Sequence, residues 1–559
     1  MHKPTIANLL RRNAVVVLPC AVALLLALPL VIHGLPDYES HQGEEYQPLK
    51  TLKFFQSRGH EFHKWGPADN FLYAPGYALS LLCWKQHGTF GPASRNFPYG
   101  FHRPLQQLTV LILQSRILLL VFVLSSLAAL AMSLVHAGFS RPAAFFALLL
   151  CMATNPVLIW HAVLLKGDGP MLAFSSLALG VYIMIVRQGL TLARAFWLAT
   201  FVAWAVSAKE SAIALFALPG AALVAAAVRP SQLPEAKKQA KKAVALGLLT
   251  VAIWYALLNV SYAPATWLRR VRYLFSDLAD PQIWGAPDRS VFDYLGEVFD
   301  TLTNNLGPGG MVAGAGSLAA LIWLRPKCAW LMSLPLASFV LTGMLPAGYL
   351  PDRFALPAAL ALVPVITAAI DSLRDRNRQR SWVLMPALLL LGFVNLLYAN
   401  ISWLQLRSAP EDLVEDYVRS HLAKDELFSI FSFWPRITGK SRLEAMGYRL
   451  DSRPIHLALR SRTDLPKTIF ITSEMQSWVE DFSRRPKRAA MVAGETGFET
   501  SDWEHFKQMG YRVIQKMNSP LPRWYPWAWL PLPARCNARS VFVYHGPGDS
   551  SRTPPTSRF

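Results

Sequence analysis

Charged residues are scarce in this chain of 559 residues. Only 16% of them are charged, whereas 53% are hydrophobic, and the mean hydropathy is +0.27. A soluble enzyme of this size rarely has so apolar a composition. Cysteine is scarce too: the five cysteines have no zinc-type spacing, and no glycine-rich nucleotide-binding loop is evident. The composition therefore favours a membrane protein over a soluble, nucleotide-dependent enzyme.

Long apolar runs recur along the first 400 residues or so. Many approach the roughly 20 residues that an α-helix needs to cross a bilayer core. Inside lipid only helices and closed barrels satisfy the backbone, and runs this long indicate helices. We therefore predict a polytopic α-helical membrane protein with 11 transmembrane helices, near Ala14–His33, Leu111–Val135, Ala143–Trp160, Met171–Val186, Ala195–Ser207, Ser211–Val228, Ala243–Tyr262, Gly310–Leu324, Ala329–Leu345, Phe354–Ile370 and Trp382–Asn400.

Lysine and arginine alternate between the connections of these spans. The segments 237–242 and 374–380, for example, are strongly basic. Because basic connections stay in the cytoplasm, the alternation predicts a cytoplasmic N-terminus and an extracytoplasmic C-terminal segment. The formal net charge of +20 partly reflects this topology, so we do not infer nucleic-acid binding from it. The expected location is a bacterial cytoplasmic (inner) membrane, with membrane lipids as partners.

The predicted domains follow from this pattern. Residues 1–401 form the transmembrane part, with a large outer loop at 35–106 and a second outer loop at 263–309, whose aromatic and basic residues suit the bilayer surface. Residues 402–545 alternate helical patterns with strand-like runs, which predicts a small extracytoplasmic α/β domain. The strand candidates are Leu427–Phe433, Thr468–Thr472, Tyr511–Ile514 and Ser540–Tyr544. We expect residues 546–559 to be a disordered tail.

Two acidic positions are candidates for catalysis. Glu44 and Glu45 open the first outer loop, where a carboxylate can take a proton from an acceptor hydroxyl or amine. The alternative is a solvated acidic loop. Asp168 lies in a very short outer turn between two apolar segments, where an unpaired buried carboxylate costs several kcal/mol. Its alternative role is to cap the span that begins at Met171, and one residue can do both.

Basic residues are expected at the same membrane level. Lys209 interrupts a long apolar stretch, and Arg353 precedes another span. Arginine and lysine are the natural ligands of phosphate, arginine often through paired hydrogen bonds. The residues assigned to a lipid phosphate are Lys64, Lys209, Arg353, Arg269 and Arg270. For Lys209 and Arg353 the alternatives are ion pairs with the adjacent Glu210 and Asp352, or extension towards lipid head groups.

These features resemble the GT-C membrane glycosyltransferases, in particular the bacterial protein O-mannosyltransferase and lipid A aminoarabinose transferase group. The acidic pair and the following aromatic residue that open the first loop in that group are similar to Glu44-Glu45-Tyr46, although the group usually has aspartate at the first position. Other similar motifs, in the same order, are Lys64-Trp65-Gly66-Pro67, Pro75-Gly76-Tyr77, Asn155-Pro156 before Asp168, Ala208-Lys209 and Asp352-Arg353-Phe354-Ala355-Leu356-Pro357. The likeness runs through most of residues 1–400.

The resemblance implies transfer of a sugar from a polyprenyl-phosphate donor to a lipid, glycan or protein acceptor at the outer face. It implies Glu44 as the base, with Glu45 or Asp37 as alternatives, and Asp168 as an acid that organises the site. The reaction would be a single displacement that inverts the anomeric centre. Since the leaving group is a phosphate, cations should matter more than a general acid. No cofactor is expected, and the sequence does not decide whether a divalent metal takes part.

Three other classes stay open on the sequence. A lipid-linked-glycan transporter or flippase should carry ionisable residues or broken helices near mid-membrane, and few are evident. An O-antigen ligase or polymerase usually has its main loop late in the order of spans, unlike the early loop here. A non-catalytic binding protein of the same fold is the third class, because of the glutamate at position 44.

Overall fold

The structure is a computed structural model in which the placement of residues 6–33, 35–36, 48–59, 66–94, 98–228, 234–276, 290–324, 329–347, 350, 352–376, 381–407, 410–431, 443–444, 446–451, 466–482, 489–490, 493, 498–518 and 540–546 is described.

Most of these residues are helical. The helices of the first part are α1 (Ile6–Val31), α2 (Pro48–Gln56), α3 (Ala68–Gln86), α4 (Pro104–His136), α5 (Arg141–Leu148), α6 (Pro156–His161), α7 (Asp168–Gln188), α8 (Leu192–Ala208), α9 (Ala212–Val228), α10 (Pro234–Tyr255), α11 (Pro264–Ser276), α12 (Val291–Leu324), α13 (Ala329–Phe339), α14 (Leu356–Arg376) and α15 (Ser381–Arg407). Wider π-type turns extend α5 to Ala153, α10 to Val260 and α13 to Met344, and a 3₁₀ turn, Asp352–Ala355, leads into α14.

These helices identify the chain as an integral membrane protein. Within the described residues, five helical segments are long and apolar enough to cross a membrane, and six more are apolar but shorter. Each of the predicted spans overlaps one of these segments. The expected number of 11 crossings remains a prediction, since length and composition support five. The 3₁₀ turn and α14 form the most buried of the five, with 89% of the apolar window inside the protein.

The predicted span Ala143–Trp160 is not a single helix. The chain leaves α5 through the π turn and restarts at Pro156, which has no backbone N–H to lose at a helix start. Asn155 caps α6, because its side-chain oxygen accepts a hydrogen bond of 2.9 Å from the backbone N–H of Leu158. The short α6 ends at His161, which brings that side chain to the start of α7.

A second break lies in α12, at Gly307. Its φ of +66° is a left-handed conformation that favours glycine. The buried Asn395 of α15 spans this break: its oxygen accepts from the backbone N–H groups of Gly309 and Gly310, and its amide donates to the carbonyls of Leu306 and Leu150. The backbone groups that the break leaves open are thereby satisfied inside the bundle.

Residues 410–546 contain a five-stranded sheet. Its strands are β1 (Leu427–Phe431), β2 (Arg449–Leu450), β3 (Thr468–Thr472), β4 (Arg512–Asn518) and β5 (Ser540–His545), in the order β2-β1-β3-β5-β4. The first three in that order are parallel, and β5 is antiparallel to both neighbours. Three helices accompany the sheet: α16 (Pro410–His421), α17 (Ser473–Glu480) and α18 (Thr500–Gln508).

The alternation along β3 places a separate core on each face of this sheet. Ile469 and Ile471 pack with apolar residues of α17 and α18, whereas Phe470 packs with residues of α16. The four predicted strands are present, and β2 was not predicted because only two residues pair. The predicted boundary between residues 401 and 402 falls within α15, which continues to Arg407. The predicted tail, 546–559, lies outside the described residues except for Gly546.

Candidate active site: a buried cluster of charges

Three of the predicted site residues meet at one end of the helical bundle. Asp168 is the first residue of α7, Lys209 directly follows α8, and Arg353 lies in the turn before α14. Lys209 Nζ donates a hydrogen bond of 2.5 Å to Asp168 Oδ1, and Arg353 Nε lies 3.9 Å from Asp168 Oδ2. Residues far apart in sequence therefore share one carboxylate.

Burial distinguishes the two cations. The side chains of Asp168 and Lys209 are 4% and 6% exposed, whereas that of Arg353 is 27% exposed. Both cations also lie near the ring of Phe354, with Lys209 Nζ at 5.1 Å and Arg353 Cζ at 5.8 Å from its centre. Lys209 neutralises the carboxylate in a dry environment, and Arg353 is the cation that a ligand can reach.

His161 is a member of this cluster that the sequence analysis missed. Its Nδ1 lies 3.7 Å from Asp168 Oδ2, and its side chain is 4% exposed. Asp168 therefore has a side-chain nitrogen near each of its carboxylate oxygens. The only sequence signal was the position of His161 shortly before Asp168, and the break between α5 and α6 that places it there was not predicted.

The alternative roles considered for Asp168 and Lys209 were a helix cap and an ion pair with Glu210. The helix begins three residues before Met171, so Asp168 occupies the first helical position and Gly167 the cap position. A carboxylate in the first turn still interacts favourably with the helix dipole. Lys209 pairs with Asp168, and Glu210 pairs with Arg270 at 3.0 Å. The side chain of Asp352 lies outside the described residues.

A second polar chain supports the turn that carries Lys209. Arg270, on α11, is 4% exposed and donates a hydrogen bond of 2.6 Å to Asn259 Oδ1. Asn259 in turn donates to Ser207 Oγ, also at 2.6 Å. Burial raises the pKa of Glu210, and the neighbouring guanidinium of Arg270 opposes that rise. Arg270 thus ties α11 to the segment between α8 and α9.

Arg269, the other predicted phosphate ligand of α11, is exposed. The same role was predicted for both arginines, but only Arg270 is buried in the structure. The assignment of either residue to a lipid phosphate remains a prediction.

Glycines allow the first outer loop to approach this cluster. A side chain at Gly66 would meet the backbone oxygen of Ser207 at 1.8 Å, and one at Gly167 would meet that of Ala208 at 2.7 Å. Asp69, at the start of α3, is 0% exposed, and its Oδ2 lies 3.3 Å from the Cβ position at Gly167. A second buried carboxylate therefore lies next to the turn that holds Asp168. The motif around Lys64 pointed to this loop, but the sequence analysis did not single out Asp69.

Glu44, Glu45 and Lys64 lie outside the described residues, as does Asp37. Their predicted roles remain predictions. Among the residues that the structure describes, no group of three or more histidine, cysteine, aspartate and glutamate side chains is placed to hold a metal ion.

The arrangement of helices defines the class of fold: the chain has the GT-C fold of membrane glycosyltransferases. In particular, it is similar to ArnT from Cupriavidus metallidurans in the apo state, with a TM-score of 0.50 and 12% sequence identity over 94% of this chain and 97% of that one. At this identity the likeness establishes the fold.

Two further structures show the same resemblance. ArnT bound to undecaprenyl phosphate gives a TM-score of 0.49 at 12% identity, again over 94% of this chain and 97% of that one. The archaeal oligosaccharyltransferase AglB from Archaeoglobus fulgidus, in complex with an inhibitory peptide and a dolichol-phosphate, gives 0.46 at 10% identity, over 93% and 74% of the two chains. No protein-family model matches the sequence, and a comparison with curated proteins finds no match.

Proposed function

We propose that this protein is a membrane glycosyltransferase that moves a sugar from a polyprenyl-phosphate donor to an acceptor at the outer face of the membrane. The observation that carries the proposal is the cluster of Asp168, Lys209, His161 and Arg353. Two cations face the Asp168 carboxylate there, and the partly exposed Arg353 can reach an anionic ligand. The GT-C fold supports the reaction class.

The position of the cluster suits a lipid substrate. Asp168 begins one apolar helix, and Arg353 leads into another. A phosphate bound at this level can keep its polyprenyl chain in the bilayer while the sugar faces the aqueous side. Arg353 has the partial exposure that such a contact needs, and a guanidinium binds phosphate oxygens through paired hydrogen bonds.

The chemistry follows from the leaving group. The acceptor oxygen or nitrogen attacks the anomeric carbon, the bond to the lipid phosphate breaks, and the acceptor's proton goes to a carboxylate. Glu44 is our proposed base, with Glu45 as the alternative. Asp168 is paired and buried, so its role is to hold Lys209 and orient the cations. The cations stabilise the charge that develops on the phosphate oxygen.

The test is transfer by the purified protein from a panel of polyprenyl-phosphate sugars, with native membrane extract as the acceptor. We expect wild type to consume one donor and Glu44→Gln to lose transfer while keeping the melting temperature and donor binding of wild type. Glu45→Gln is the matched control, since it changes the neighbouring acid in the same way. Wild-type rates in Glu44→Gln with loss in Glu45→Gln would move the base to Glu45.

A second pair of variants tests the phosphate contact. Arg353→Gln should raise the donor concentration needed for half-maximal rate. Arg376→Gln makes the same change at the far end of α14, the helix that Arg353 precedes, and should not affect donor use. Equal behaviour of the two variants would remove Arg353 from the site. If the wild-type protein consumes no donor in the panel but moves a lipid-linked sugar across the bilayer, the protein is a transporter instead.

A further inference from the structure

An apolar pocket lies between α8, α9 and α10, far from the charge cluster. It leaves about 650 Å³ of space free of protein atoms, part of it open to the outside of the bundle. The lining is apolar except for Tyr182, whose hydroxyl donates a hydrogen bond to the carbonyl of Leu331. Tyr182 is also nearly four turns along α7 from Asp168, which places it about 21 Å away at 1.5 Å per residue.

Two glycines keep this pocket open. A Cβ at Gly220 of α9 would meet no atom within 4 Å, and one at Gly247 of α10 would meet only Ala195 and Ala199, at 3.7 and 3.9 Å. Larger residues would therefore fill the space without colliding with the backbone. The pocket exists because small residues face each other across three helices.

The lining of the pocket follows the axes of α9 and α10, and we call this space the slot. On α9 its lining extends from Phe216 to Val224, which corresponds to a depth of about 12 Å. On α10 it extends from Ala243 to Val251. A hydrocarbon chain that enters from the end of the bundle would lie parallel to these helices.

Lysines precede the lining residues of the pocket on α10. Lys237 and Lys241 are one turn apart on α10 and precede the lining residue Val244 by seven and three residues. This spacing puts both lysines towards the face that lines the pocket. Lys238 and Lys242, by the same geometry, lie on the opposite side of the helix. Lys237 is half-buried, and the other three lysines are exposed.

From this juxtaposition we infer a binding site for an anionic phospholipid of the leaflet at this end of the bundle. One acyl chain occupies the slot between α8, α9 and α10, and the phosphate lies against Lys237 and Lys241. Basic side chains at the mouth of a cleft between membrane helices are the chemistry that recognises anionic head groups. This lipid is distinct from the proposed sugar donor, whose phosphate would lie at Arg353, at the other end of the helices.

The experiment is native mass spectrometry of the purified protein titrated with phosphatidylglycerol or phosphatidylcholine. We expect one phosphatidylglycerol to be retained more tightly than phosphatidylcholine. The double variant Lys237→Gln/Lys241→Gln should bind phosphatidylglycerol roughly thirtyfold more weakly. Lys238→Gln/Lys242→Gln removes the same charge from the same helix and should bind as wild type does. Equal losses in the two variants would reduce the effect to general surface attraction and overturn the site.

The slot is tested by filling it. Gly220→Leu should abolish retention of the lipid, whereas Gly316→Leu, at a glycine of α12 that also has open space at its Cβ position, should not. Retention by Gly220→Leu would place the lipid elsewhere. Displacement by glycerol phosphate would show that no acyl chain is recognised, and displacement by polyprenyl phosphate would assign the slot to the donor's chain. Either result would overturn the proposal.

Discussion

The contact between Asp168 and Lys209 gives the sharpest test of the charge cluster. Replacing Lys209 with methionine keeps most of the side-chain volume. Among the described residues, the carboxylate, which is 4% exposed, is then left with nitrogen neighbours at 3.7 and 3.9 Å. Removing one partner of a buried ion pair costs about 3–5 kcal/mol, because a buried charge is left without compensation. We expect the melting temperature of Lys209→Met in detergent to fall by several degrees.

The loss should be recovered when both charges are removed. The double variant Asp168→Asn/Lys209→Met has no charge at either of the two paired positions, so its melting temperature should lie well above the value obtained by adding the two single effects. Lys238→Met, at an exposed lysine of α10, is the control for the substitution itself. Arg353→Gln should cost about 1 kcal/mol or less, since Arg353 is partly exposed and more distant from Asp168.

The comparison also distinguishes stability from substrate use. We expect Lys209→Met to be the less stable variant and Arg353→Gln to bind the donor more weakly than its stability explains. Additive effects of the two changes at Asp168 and Lys209 would refute the idea that these groups form one buried pair. So would a Lys209→Met protein that melts with wild type.

Two further predictions concern the supporting polar contacts. Arg270→Met removes the guanidinium that pairs with the buried Glu210, so the pKa of Glu210 should rise further. Protonation of Glu210 at low pH removes the buried charge. The loss of melting temperature relative to wild type should therefore be largest near about pH 8 and shrink towards about pH 5. A loss that grows as the pH falls would contradict this sign. Asn395→Leu removes four hydrogen bonds, three of them at the break in α12, and should cost about 2–3 kcal/mol in thermal unfolding. The control is Asn304→Leu, at a less buried asparagine three residues before Gly307.

The apolar helices were predictable because their signal is local. A run of apolar residues has the same meaning wherever it occurs, and Lys209 divided one such run into α8 and α9 as the sequence indicated. The strands were predictable for the same reason. A short run of apolar and β-branched residues such as Thr468–Thr472 indicates a strand that is buried on both faces.

The site was predictable only in part. Asp168, Lys209 and Arg353 were recognisable because a charge at the end of an apolar run needs an explanation. The structure brings the three side chains together, and their roles remain predictions. The position of His161 depends on the break between α5 and α6. The position of Asp69 depends on the close approach of the backbone at Gly66 and Gly167 to residues 207–208. Such contacts are set by the whole packing and leave no local pattern.

The likeness of Arg269 and Arg270 in sequence shows the same limit. Neighbouring residues on a helix point in directions about 100° apart, and only the partner surface decides which of them is buried. Asn259 and Glu210 provide that surface for Arg270.

The hydrogen bonds of Asn395 have a consequence for the order in which the helical bundle assembles during synthesis. These four bonds connect positions 150, 306, 309 and 310 with a residue that is synthesised much later. While the chain is still growing, the carbonyl of Leu150 and the N–H groups beyond Gly307 must find water or other temporary partners. The early helices can enter the membrane as they emerge, but the bundle around α5 and α12 can close only after α15 has been inserted.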